Sequence, residues 1–202
     1  MRIPSRTLSL IAIFSSLIIA SDYALTPALN VKLMDTLVFS STFVFGSRIG
    51  ASIAVLSELI WSIVTPYGIF LPITPFLVGG ELLFVLAGYL AVKIWKKEKV
   101  SPVAVQNLFF GAVLAITAFI WDFETNIATG LIAGARTLFT LLAFEFNPGT
   151  LYFSLAHEAS DFVFGSALAP LVIAYLLKNS TRIRGQKIET KSLSQLAIGG
   201  KM

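Results

Sequence analysis

The sequence predicts an all-α integral membrane protein with six transmembrane helices and both termini cytoplasmic. Three observations carry this expectation. Hydrophobic residues make up 56% of the 202 residues and charged residues 13%, against about 25% charged in average soluble domains, and the mean hydropathy is +0.83. Long apolar runs recur along the chain, separated by short polar segments. The charges are also sorted between those segments. Of the fifteen Lys and Arg, all but Lys32 and Arg136 fall at Arg2 and Arg6, at Arg48, from Lys93 to Lys99, or from Lys178 to Lys201. All the acids except Glu98 and Glu189 fall in the alternate segments. Cytoplasmic loops collect Lys and Arg, so the pattern orients the chain and leaves an acid-rich outer half.

The elements follow in order. Span one is expected over Arg6 to Ala24, uncleaved because further spans follow it. A loop, Leu25 to Lys32, carries Pro27 and Asn30. Span two is expected over Leu33 to Phe45, with an inner turn at Gly46-Ser47-Arg48, and span three over Ile49 to Val64. Both are shorter than the roughly 20 residues a full crossing needs, which suits helices packed inside a bundle. Thr65-Pro66-Tyr67-Gly68, Pro72 and Pro75 mark an outer loop. Span four is expected over Phe76 to Ile94 and span five over Val105 to Trp121. Asn147-Pro148-Gly149 is a turn signal, and the last span is expected over Tyr152 to Leu177. The apolar stretch 127–144 would make a seventh span and put the basic tail outside, against the charge rule. It is expected instead as an outer extension of span five, or as a re-entrant or interfacial segment. Residues 1–178 then form one membrane domain, and 179–202 a basic, disordered cytoplasmic tail. The localisation expected is the plasma membrane, multi-pass.

The pI of about 9.4 would point to nucleic acid in a soluble protein. Here topology and anionic lipid account for the basic residues, so no nucleic-acid partner is expected. The chain has no cysteine, which excludes disulfides and thiolate metal sites. No G-x-x-x-x-G-K-[ST] phosphate loop occurs, so the chain does not itself hydrolyse ATP by that route.

Chemistry concentrates in two helical stripes. Ser154, His157, Glu158, Asp161 and Gly165 share one face of the last span, and Asp122, Thr125, Asn126 and Thr129 share one face at the outer end of span five. Ionisable residues at such depth face a cavity or a partner. The candidate substrate-binding residues are Glu81, Trp121, Asp122, Glu124, Asn126, Arg136, Tyr152, His157, Glu158 and Asp161. Lys32 is read as a loop-surface residue. His157 and Asp161 are spaced to share a metal, but the chain holds one His and no H-E-x-x-H. No catalytic residue, metal ligand or cofactor is therefore assigned, and a non-enzyme is expected. Ala12, Ser16 and Ala20 form a small-residue stripe on span one, a partner-contact candidate because such stripes let helix backbones approach closely.

Six short spans, that stripe, and the segment Val31-Lys32-Leu33-Met34-Asp35 leading into Phe45-Gly46-Ser47-Arg48-Ile49-Gly50-Ala51 resemble the substrate-binding S components of energy-coupling factor (ECF) transporters. Asp122-Phe123-Glu124-Thr125-Asn126 and His157-Glu158-Ala159-Ser160-Asp161 are similar to motifs in that group, and the resemblance spans about residues 7 to 178. It implies capture of a vitamin or related nutrient from outside, with a scaffold (T) subunit and two cytoplasmic ATPase subunits as partners. Ala12, Ser16 and Ala20 would stand where the family contacts its scaffold. The acid-rich outer half favours a cationic or amine-bearing nutrient. A proton-coupled secondary transporter and an intramembrane metal-dependent enzyme are the alternatives.

Overall fold

A computed structural model describes residues 4–66, 68–95 and 104–199, with side chains described as far as Asn179. Arg2, Tyr67, the lysines at 96, 97 and 99 and Lys201 lie outside the described residues. The chain is all helical: α1 (Ser5–Leu25), α2 (Met34–Phe45), α3 (Ser47–Val64), α4 (Thr74–Ile94), α5 (Ala104–Ile132), α6 (Leu138–Glu145) and α7 (Pro148–Gly199), with a short 3-10 turn at Leu71–Ile73 before α4. Five of these are long and apolar enough to cross a membrane: α1, α3, α4 joined to its 3-10 turn, α5, and α7 as far as Asn179. The chain is a multi-pass membrane protein, an architecture consistent with the plasma membrane.

The twelve-residue α2 is the axis of the bundle. Every residue from Met34 to Val44 is buried, and α1, α3, α4 and α7 all pack on it. A helix buried on every face, with Asp35, Thr36, Ser40, Ser41 and Thr42 among its residues, needs such a surround. At 1.5 Å per residue it spans about 18 Å, short of the ~30 Å hydrocarbon core. It ends at Gly46, whose φ of 94° is open to glycine and costly for other residues. Ser47 then begins α3 directly.

One stripe of α2 divides the core in two. Phe39 and Phe43 pack edge-on against Phe110 of α5, with ring centroids 5.3 and 5.7 Å away. One turn before Phe39, the same stripe carries Asp35, fully buried. An aromatic core thus fills one end of the bundle and an ionisable cluster the other.

The stretch 127–144 does not form a separate span. Residues 127–132 continue α5, a turn with Gly134 at φ 102° follows, and α6 packs back on α5. Thr137 caps α6 through a reciprocal pair with Thr140. Asn147 Oδ1 accepts from the backbone N–H groups of Gly149 and Thr150, each at 3.0 Å, capping α7. The assigned helix of α7 runs on to Gly199, through the segment expected as a disordered tail.

The most extensive interface joins α5 to α7. It closes where Gly111 faces Gly165. A Cβ on Gly165 would lie 2.9 Å from both the Gly111 Cα and the Phe110 carbonyl oxygen. Backbone atoms cannot rotate away, so the added methyl must separate the helices. Gly165→Ala is expected to destabilise the protein by about 1–3 kcal/mol, read as a lower melting temperature in detergent. An unchanged melt would show that the two helices part freely there.

Candidate functional site

The site is built from residues far apart in sequence that meet at the N-terminal end of α2. α7 supplies His157 and Asp161, α5 supplies Trp121 and Asp122, and α2 supplies Asp35. Asp22 comes from α1, Glu58 from α3 and Glu81 from α4. All eight side chains are buried. His157 stands at the centre: its Nε2 lies 2.9 Å from Asp35 Oδ2 and its Nδ1 lies 3.0 Å from Asp122 Oδ2. A ring that donates to both carboxylates is the imidazolium. Trp121 packs edge-on against it, centroids 5.3 Å apart. Asp161 is fully buried, and neither of its carboxylate oxygens has a hydrogen-bond partner among the described residues.

The α1–α2 loop closes over this cluster. Asp22 Oδ1 accepts from the Leu33 backbone N–H at 2.8 Å, and the Asn30 side-chain amide donates to the Phe153 carbonyl at 3.0 Å, tying the loop to α7. Asn30 holds φ 54°, a left-handed conformation asparagine tolerates. Pinned at both places, the loop carries Lys32 inward, with Nζ 4.5 Å from the Trp121 ring centroid. Burial opposes charge on Lys32, but the attraction of Asp35, Glu58, Glu81 and Asp22 outweighs it and holds its pKa above the ordinary lysine value. The expectation of a loop-surface role for Lys32 is therefore corrected.

The two predicted stripes do face each other. They meet directly, through His157 and Asp122 and through the Asn126 amide donating to Ser154 Oγ at 3.2 Å. Glu81, Trp121, Asp122, His157 and Asp161 belong to the cluster, and Asn126 lies at its margin. Three other candidates sit apart from it, and Glu158 stands at its edge, within electrostatic reach of Asp122 and His157. Arg136 is exposed and donates to the Leu131 and Ala135 carbonyls, finishing α5. Tyr152 is 65% exposed on the outside of α7. Glu124 lies beside Gly79 of α4, and Glu158 is half-buried. Asp35, Lys32, Glu58 and Asp22 are functional candidates the stripes missed. No local signal singled out Asp35, since its helix also carries Thr36, Ser40, Ser41 and Thr42.

The expectation of a non-enzyme is overturned. Asp35, His157 and Asp161 each place a potential ligand atom within 4.8 Å of the others. One imidazole nitrogen with two carboxylates is a donor set for a divalent metal ion, and a bound metal can activate water or polarise a carbonyl or phosphoryl oxygen. The i, i+4 pair His157 and Asp161 needed a third ligand, which α2 provides across the bundle.

Six buried acids against Lys32 and His157 make the site sensitive to loss of either cation. Lys32→Met is expected to cost about 3 kcal/mol of stability at neutral pH, because it leaves buried carboxylates uncompensated. The deficit should shrink as pH falls, since protonation removes the unbalanced negative charge. Melting curves of both proteins across pH 5 to 8 check this, and a deficit that grew with acidity would contradict it. The bundle and its buried ionisable site suit a transport-related role; no family model, curated protein or solved structure matches the chain.

Proposed function

We propose that this chain is the membrane-embedded capture subunit of an ATP-driven, ECF-type uptake transporter, binding a small cationic or amine-bearing nutrient from outside. The observation that carries the reading is the buried cluster of Asp22, Asp35, Glu58, Glu81, Asp122 and Asp161, closed by a tethered loop and faced, among the described residues, by Lys32 and His157. Carboxyl groups gathered in a low-dielectric interior can ionise against an incoming cation, which gives the site a preference for positive charge. Six spans with both termini cytoplasmic would open the loop side of the cluster to the outside, in line with the sorting of Lys and Arg.

The exposed faces of Ala12, Ser16 and Ala20 support a docking role for α1. They line an open groove with Leu56 and Ile60 of α3, so the stripe is not used up by packing within the chain. Such a surface suits a close helix–helix contact with a scaffold subunit, which would bring two cytoplasmic ATPases. A second reading, metal-assisted chemistry inside the membrane, draws on the Asp35, His157 and Asp161 donor set.

Three outcomes are expected. In intact cells, a single cysteine replacing Asn147 should react with an impermeant thiol reagent, and one replacing Ser192 should not; labelling at Ser192 alone would reverse the orientation. Ser16→Trp should abolish uptake and co-purification with scaffold and ATPase subunits while the isolated chain keeps its ligand. Loss of the ligand as well would return the stripe to internal packing. Native mass spectrometry should identify the co-purifying ligand, and Asp161→Asn should weaken its binding ten- to more than a hundredfold, the range for losing a charged hydrogen bond. Unchanged affinity would remove Asp161 from the binding site. Product formation from a bound substrate, without uptake, would favour the second reading.

A further inference from the structure

We infer that the cluster binds one divalent first-row transition-metal ion, held by Asp35, His157 Nε2 and Asp161 and oriented by Asp122. The inference deepens the capture reading, since it rests on the same buried cluster and names the class of cation.

The first argument is geometric. Metal–nitrogen and metal–oxygen bonds of about 2.1 Å place ligand atoms some 3 to 4 Å from one another around an ion. The three candidate atoms already lie within 4.8 Å of one another, and Nε2 is 2.9 Å from Asp35 Oδ2. Small side-chain movements would bring Asp161 to bonding distance.

The second argument is the unpartnered carboxylate. Both oxygens of Asp161 are buried with no hydrogen-bond donor among the described residues, while Asp35 has the Glu81 carboxyl and His157 within hydrogen-bond reach. Buried carboxylates without donors are costly. An ion between Asp161 and His157 would supply the partner that Asp161 lacks.

The third argument is the outer partner. A metal-binding histidine commonly donates its second ring N–H to a carboxylate, which fixes the tautomer and strengthens the ligand. Asp122 Oδ2, 3.0 Å from Nδ1, is placed for that role. On binding, Nε2 loses its proton to solvent and gives its lone pair to the ion, while Nδ1–H keeps its bond to Asp122.

Donor type selects among ions. The set contains an imidazole nitrogen and no sulfur, which favours ions such as Mn²⁺, Fe²⁺, Co²⁺ and Zn²⁺ over Ca²⁺ and Mg²⁺, whose preference is for all-oxygen sites.

The chain's single histidine permits a test that needs no variant. The tag-free, full-length protein in detergent is loaded with Mn²⁺, and its electron spin echo modulation is recorded. One directly bound imidazole nitrogen, at one ion per chain by equilibrium dialysis, is expected. Zn²⁺ should displace the Mn²⁺, and millimolar Mg²⁺ should not. Asp122→Asn should weaken Zn²⁺ binding about 10- to 100-fold, and Asp35→Asn by at least as much. No bound ion, or Mn²⁺ bound without nitrogen coupling, overturns the inference. If coupling is absent yet an organic cation co-purifies and depends on Asp161, the capture reading survives without the metal. If the metal binds at His157 but cells show no dependence on the chain for its uptake, the metal site stands and the ion is resident instead of cargo.

Discussion

The bundle is organised around a cluster of buried carboxyl groups. Asp35, Asp122 and Asp161 converge on one imidazole, and Asp22, Glu58 and Glu81 extend the cluster to α1, α3 and α4. Six of the seven helices contribute to it or carry a residue beside it. Burying an unpaired charge costs several kcal/mol even after relaxation, so the arrangement persists only with compensation close at hand. His157 and Lys32 provide part of it. The rest of the fold follows from delivering those two cations to the right place.

Lys32 shows how this is done. It lies on no helix, yet it reaches the centre because the loop that carries it is fastened at Leu33 and at Asn30. Those fastenings also satisfy backbone and amide groups that would otherwise be left without partners beside the acids. The loop is thus part of the electrostatic core. The aromatic cluster of Phe39, Phe43 and Phe110 closes the opposite end of α2, so the polar site has a packed apolar floor. Regions of such different polarity can share one short helix because Asp35 and Phe39 are separated by a full turn.

Much of this architecture was legible in the sequence. Apolar run lengths placed α1 to α4 to within two residues, while α5 runs on to Ile132 and α7 to Gly199, well past the expected ends at Trp121 and Leu177; the shortness of span two anticipated a helix packed inside the bundle. The stripes on α5 and α7 were readable because helical spacing aligns Asp122 with Asn126 and His157 with Asp161. Contacts across the bundle were not. The Asp35–His157 pair joins positions 122 residues apart, and nothing local to Val31-Lys32-Leu33-Met34-Asp35 tells that its charges point inward. Arg136 and Tyr152 fell outside the cluster for the converse reason: their chemistry suited a pocket, but Arg136 lies in the turn after α5 and donates to its last carbonyls, and Tyr152 sits on the outward face of α7. The stretch 127–144 was ambiguous because apolar content alone does not distinguish a helix extension followed by a capped turn from a re-entrant segment.

The shortness of α2 has an electrical consequence. Its ~18 Å leaves roughly 12 Å of a ~30 Å hydrocarbon core to be covered by other elements. Non-helical backbone at membrane depth is tolerated where protein or water surrounds it, and the loop over the cluster meets that condition through its own bonds. A charge that moves between the outside and the cluster would cross part of the membrane potential, worth about 2.3 kcal/mol per unit charge per 100 mV. Occupancy of the cluster by a cation would then respond to voltage.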